Sequence, residues 1–189
     1  MKKRVKIILL VSACILMLLA MLFIPLLIVP DHSIIRNTLS DLGAQNSAGA
    51  WIINSILVAL AFSSVISGWG FFKGFVFHRV FLVLFGVSIV LSAFFNHAPV
   101  NPAIPYNISE DGWHKYFASI VWITFVILAF STSLILKKQT DRSLALIAGI
   151  SVMLLSLLSS ESEQTAGIWQ MLRFIISFGW LIYTLKTMD

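Results

Sequence analysis

Charge is what this sequence lacks most. Of its 189 residues only 11% are Asp, Glu, Lys or Arg, while 59% are hydrophobic. A soluble domain covers its surface with about 25% charged residues, so a water-soluble globular fold is excluded. Cysteine is almost missing: Cys14 alone rules out an internal disulfide framework and any site built on a CxxC pair. HExxH, a Walker loop, GxSxG and two histidines at i, i+4 are absent, which removes the signatures of familiar soluble enzymes. No repeat, linker or low-complexity tract divides the chain, and its length suits one domain at roughly 100 to 200 residues each.

The hydrophobic residues are gathered into runs. A hydrocarbon core about 30 Å thick needs roughly 20 apolar residues in helical form, because a backbone in lipid must satisfy its own hydrogen bonds. Six stretches qualify or nearly do: residues 7–29, 51–72, 80–95, 116–136, 143–160 and 168–185. The third is short at about 1.5 Å per residue and is expected to gain length from His78 and Arg79, whose side chains would snorkel. Runs such as 15–27 show no period-two alternation, which excludes a β-barrel. The predicted fold is an all-α integral membrane protein, one domain of six transmembrane helices over residues 1–189.

Thirteen Lys and Arg against eight Asp and Glu give +5 and a pI near 9.6. Their positions are lopsided. Between the predicted spans, ten basic residues fall on one side and only Arg36, Lys115 and Arg173 on the other. Basic loops stay in the cytoplasm, so both termini are placed there, in a multi-pass protein of the plasma membrane. Topology and anionic headgroups then account for the basic pI, and no nucleic-acid partner is called for. Val11-Ser12-Ala13-Cys14 resembles a lipoprotein cleavage box, but the chain stays apolar well beyond Cys14. An uncleaved membrane anchor is expected.

The cytoplasmic connections, 73–79 and 137–142, are little more than turns and leave no room for a site. Outside lie the longer 30–50 and 96–115 and the short 161–167, with three of the four histidines and six of the eight acids. Polar loops facing water account for part of this. In the first loop, steps of about 100° place Ile34, Ile35, Thr38, Leu39 and Leu42 on one arc of a helix, and Arg36, Asn37, Ser40 and Asp41 on the opposite arc. This predicts a short amphipathic segment, capped by Asp31 or Ser33 and ended by Gly43, lying on the surface or closing a cavity with its polar face. In the second loop Asn96-His97 precedes Pro99, Pro102 and Pro105, which forbid a helix. Ser109 is the expected cap of the fourth span, with His114 following near the membrane surface.

Arg173 stands about one and a half turns inside the sixth span. A charge at mid-bilayer costs about 2.5 to 3.5 kcal/mol on insertion scales unless it pairs or snorkels. Two arrangements fit: the stem reaches outward past Trp169, or the guanidinium faces the bundle and pairs with Asp41, Glu110, Glu161 or Glu163, holding the mouth together or binding an anionic headgroup.

The run His32-Ser-Ile-Ile-Arg36-Asn-Thr-Leu-Ser40-Asp41-Leu-Gly43-Ala44 resembles the signature of a prokaryotic multi-span membrane family, domain of unknown function 998. Phe94-Phe95-Asn96, Gly112-Trp-His114 and Gly167-Ile-Trp-Gln-Met-Leu-Arg173 extend the resemblance over nearly the whole chain. Where that family commonly shows Phe-Pro and an acid, this chain has Phe95-Asn96-His97. Ser40-Asp41-x-Gly43 with a later His is also distantly similar to six-span autophagy-modulator and glycolipid-anchor-remodelling proteins, a kinship that implies lipid handling at the non-cytoplasmic leaflet.

Three functions follow as expectations. The first is a lipid-handling protein whose outer polar cavity takes a headgroup or lipid-linked molecule, with Arg36, Asn37, Asn96 and Arg173 as ligand-binding residues and membrane lipids as partners. The second is a membrane-embedded hydrolase or acyl transferase with Ser40, Asp41 and His114 as catalytic residues. It runs either on Zn²⁺ held by His32, His97 and His114, or without metal, with His114 as base toward Ser40. The third is a small transporter or structural partner; the spans lack the intramembrane acids a proton relay would need.

Overall fold

The computed structural model describes residues 2–28, 33–101 and 103–187, with the side chains of 26–28 and 163 left aside. Apolar runs that cannot share hydrogen bonds with water satisfy their backbones by coiling. They do so six times: α1 (Lys3–Ile28), α3 (Ala50–Phe71), α4 (Val76–Phe94), α5 (Ile108–Ile135), α6 (Gln139–Glu161) and α7 (Ala166–Thr187). Each is long and apolar enough to cross a membrane. A one-turn helix, α2 (Leu39–Leu42), follows α1, and a 3₁₀ turn, Glu163–Thr165, precedes α7. Among the described residues there is no strand.

The helices match the predicted spans with instructive shifts at their ends. As expected, α4 takes in His78 and Arg79. The Arg79 guanidinium lies 4.6 Å over the Trp69 ring, and its Nε donates to the Trp69 carbonyl at 3.2 Å. His78 does not snorkel; it is buried and stacks on Phe72 with ring centroids 5.1 Å apart. The fifth helix starts at Ile108 rather than 116, because Asn107, not Ser109, is its cap: the Asn107 side-chain oxygen accepts from the Ser109 and Glu110 N–H groups. Asp111 and His114 therefore ride on the first turns of a long, well-anchored helix.

The predicted amphipathic helix is broken in two. Residues 33–37 form a turn in which the Arg36 and Asn37 N–H groups both donate to the Ser33 carbonyl, and the Asn37 side-chain oxygen accepts from the Ser33 N–H. Only Leu39–Leu42 is helical, started by a reciprocal cap in which Thr38 and Asp41 each accept the other's N–H. These local side-chain bonds outcompete a continuous helix. Ser33 does not cap, and Asp31 lies outside the described residues. Leu39 and Leu42 are buried while Ile35 is exposed, so the apolar arc does not act as one face.

Each long helix packs on the next in the chain, and α7 returns to α1, closing a ring. Phe85, Phe125 and Phe178 meet in its interior, Phe85 with centroids 6.0 Å from Phe125 and 5.9 Å from Phe178. Small residues let backbones approach: a methyl at Gly86 would strike Val65 across the α3–α4 contact. Buried Ser64, Thr132 and Ser177 donate to the carbonyl four residues earlier, so apolar helices carry hydroxyls without orphaning them. This up-and-down order sorts the connections. Segments 33–49, 96–107 and 162–165 gather at one end, and 72–75 and 136–138 at the other with the start of α1 and the finish of α7.

Candidate functional site

The end with the long connections is a hydrogen-bonded lid tied to the helices beneath it. Gln45 is its central fastener: the backbone N–H donates to the His97 carbonyl at 2.8 Å, and the side-chain amide donates to the Asn96 and Asn107 carbonyls at 3.1 and 3.0 Å. The Gln45 side-chain oxygen accepts from the Asn107 N–H at 2.7 Å. The 33–42 segment is fastened to α7 in the same way, with the Gly167 and Ile168 N–H groups donating to the Arg36 and Ile35 carbonyls, each at 3.2 Å. Gly167 permits this approach, since a side chain there would run into the carbonyls of Asn37 and Ile34.

That docking carries Ser40 to the first turns of α5 and α7. His114 Nδ1 lies 2.8 Å from both the Ser92 and Phe95 carbonyl oxygens, the acceptors left over where α4 ends. Two carbonyls can only accept, so in the neutral ring Nδ1 holds the proton and Nε2 keeps the lone pair. His114 Nε2 is 3.1 Å from Ser40 Oγ, and the Ser40 hydroxyl donates to it. Gln170 of α7 completes the group: its side-chain oxygen accepts from the Leu39 N–H at 2.5 Å, and its amide nitrogen is 3.5 Å from Ser40 Oγ. His114 and Gln170 are buried, and Ser40 is half-buried.

A second layer lies alongside. The His97 and His114 rings stack with centroids 5.2 Å apart. His97 Nδ1 is 2.6 Å from Asp111 Oδ1, which also accepts from the Ala98 N–H at 2.9 Å. Asp111 Oδ2 is 2.7 Å from Lys115 Nζ, one helical turn on. On its other side, His97 Nε2 is 3.8 Å from Asp41 Oδ1, while Asp41 Oδ2 accepts from the Thr38 N–H at 2.6 Å.

Of the residues singled out from sequence, Ser40, Asp41, His97 and His114 are brought together. Asn96 borders the group, with its side-chain oxygen accepting from Asn54 at 2.7 Å and its N–H donating to Glu110 at 2.8 Å. Asn37 is taken up in the turn with Ser33. Arg36 is exposed and is held through its backbone carbonyl. His32 lies outside the described residues. Among the described residues no three His, Cys, Asp or Glu side chains are arranged to hold a metal ion.

Arg173 faces inward one turn along α7 from Gln170, buried to 7% exposure. It neither reaches outward nor pairs with a carboxylate among the described residues. Its two terminal nitrogens donate to Ser156 and Ser159 of α6 at 3.3 and 3.1 Å, and its guanidinium lies 4.6 Å over the Trp122 ring of α5. Nε has no partner.

Three contributors escaped the sequence reading. Gln45 and Gln170 are neutral amides, invisible to a count of charges. Asp111 is the exception with a signal: it stands three residues before His114 and four before Lys115, spacings that put all three on neighbouring positions of one helix surface.

Six apolar helices with one polar, carefully bonded end define a multi-span helical membrane protein. The chain belongs to the family described as Protein of unknown function (DUF998), whose model matches residues 11–185. No curated protein and no solved structure matches it.

Proposed function

We propose that this protein is a membrane-embedded acyl-transfer enzyme that hydrolyses or transfers the acyl group of a lipid or lipid-linked ester at the outer leaflet of the plasma membrane. The orientation rests on the basic residues: Lys2, Lys3, Arg4, Lys6, Lys73, Arg79, Lys137, Lys138, Arg142 and Lys186 all belong to the short-connection end, which the positive-inside bias places in the cytoplasm with both termini.

The observation that carries the reading is the 3.1 Å contact between Ser40 Oγ and the lone-pair nitrogen of His114. A serine hydroxyl is a weak nucleophile until a base within hydrogen-bond reach takes its proton, and that base must be held in one tautomer by a third group. Here the Ser92 and Phe95 carbonyls do the holding. Ser40 Oγ would attack the ester carbonyl as its proton passes to His114 Nε2. Collapse would expel the alcohol, which leaves with that proton. The acyl-Ser40 ester then passes its acyl group to water or to a second alcohol, whose proton His114 accepts and returns to Ser40 Oγ as the acyl–Oγ bond breaks. The Gln170 amide N–H, 3.5 Å from Ser40 Oγ, is the side-chain donor that would turn to the substrate carbonyl oxygen as it becomes negative. Asp41 and Asp111 act as positioning residues, one starting the helix that presents Ser40 and the other clamping His97 against the His114 ring.

Arg173 supports a binding role for the same region. A buried guanidinium that meets no carboxylate among the described residues stays ionised at a desolvation cost that an anionic ligand group would offset. In this scheme Arg173 receives the acidic part of the lipid, and the ester lies toward Ser40.

The test is covalent labelling of the full-length protein in lipid nanodiscs with an uncharged alkyl fluorophosphonate. Labelling of wild type at Ser40, none in Ser40→Ala, and a rate reduced about 10²-fold or more in His114→Ala are expected. An unlabelled wild type, or equal labelling of Ser40→Ala, overturns the catalytic assignment.

A further inference from the structure

The short connections leave no site when judged by their length, yet the helix ends around them enclose a cavity of about 820 Å³. Its basic lining comes from two places: Lys3 and Lys6 on the first turns of α1, and Lys137 and Lys138 between α5 and α6. Its apolar lining includes Phe71, Ile135 and Leu185, from the ends of α3, α5 and α7. Asp141 also borders it, its carboxylate accepting from the Tyr183 hydroxyl at 3.0 Å; it offsets one of the lysines and leaves the lining basic. Lys6, Lys137 and Lys138 take part in none of the ion pairs described, which lie at the opposite end.

The positive-inside bias explains why lysines collect at this end. It does not explain why two groups of them border one concavity of ligand size, roughly 300 to 1,000 Å³ in general. Like charges on a shared cavity repel one another, and the repulsion is relieved by an anion seated among them. A small, fully hydrated anion would leave the Phe71, Ile135 and Leu185 surface wet. An anion carrying a hydrocarbon tail satisfies both halves of the lining.

We propose that this cavity binds an anionic phospholipid, its phosphate among Lys6, Lys137 and Lys138 and the start of an acyl chain against Phe71, Ile135 and Leu185. This is a second lipid site, at the opposite end of the bundle from Ser40 and independent of any chemistry there.

The experiment places the full-length protein in nanodiscs of phosphatidylcholine doped with phosphatidylglycerol and counts the lipids retained on release by native mass spectrometry. Wild type should keep phosphatidylglycerol preferentially. The combined variant Lys6→Gln, Lys137→Gln, Lys138→Gln should lose about tenfold or more of that preference, because each lysine near an anionic headgroup adds to its binding. Ser40→Ala should retain the lipid as wild type does, which separates this result from the catalytic reading. Within wild type alone, raising the salt concentration should weaken the preference, a measurement that does not depend on the variant folding. Equal retention by wild type and the triple variant, a preference indifferent to salt, or displacement of the lipid by inorganic phosphate alone would overturn the proposal.

Discussion

At the long-connection end three carboxylates have partners: Asp41 holds the Thr38 N–H, Glu110 the Asn96 N–H, and Asp111 holds His97, Ala98 and Lys115. At the other end Lys6, Lys137 and Lys138 border a cavity, and among the described residues no ion pair engages them. Both ends are polar caps on one apolar ring, and orientation alone would make each a solvated rim. The contrast separates two uses of polarity. Groups that satisfy one another fix a geometry, as a reactive pair requires. Groups left unsatisfied around a concavity await something from outside.

The comparison breaks most visibly at Gly167. Gly167→Leu would drive a side chain into the carbonyls of Asn37 and Ile34, pushing the Ser40 segment off α7. Overpacking of this kind costs about 1 to 3 kcal/mol, and labelling at Ser40 should fall to the Ser40→Ala background. Next comes Asp111→Ala, which strips His97 and the Ala98 N–H of their shared acceptor and should lower stability by about 1 to 3 kcal/mol. A thermal unfolding series in detergent would show it, with Lys73→Ala, exposed at the opposite end and outside the cavity there, unchanged as the matched control. Gln45→Ala removes three side-chain hydrogen bonds between the two connections. The expected cost is about 1 kcal/mol, with faster proteolysis within 98–106. The smallest effect on stability is expected at Arg173→Met, where a buried charge with no counter-ion among the described residues gives way to an apolar chain. The melting temperature should hold or rise and fluorophosphonate labelling should persist, while turnover of an anionic ester shows a raised KM.

The spans were readable because length and apolarity are properties of a continuous stretch, and a bilayer asks for little else. Their ends were less so: Asn107 and Ser109 are both good caps, and only the path of the proline-containing loop selects the first. The Thr38–Asp41 pair carried a boundary signal of its own, overridden by an apolar periodicity that proved to belong to two separate pieces of backbone. Ser40, Asp41 and His114 could be suspected as polar residues at one end. Their meeting could not, because Ser40 and His114 stand 74 positions apart and are joined through neutral Gln45, Gln170 and Gly167. Arg173 was conspicuous in the sequence, but its company of two serines and a tryptophan was not. The cavity near Lys6 was missed because connection length was taken as a measure of enclosed space, whereas helix ends enclose it.

The way the two halves of the proposed reactive pair are held would make its chemistry mechanical. Ser40 belongs to a fragment moored on α7 through Gly167, Ile168 and Gln170, whereas His114 is carried by α5 and oriented by the finish of α4. The nucleophile and base of the proposed mechanism would thus move with different struts, and any tilt of the last helix against its neighbours would change a single short separation. Bilayer thickness and lateral pressure, which act on tilt, would become variables of the proposed reactivity.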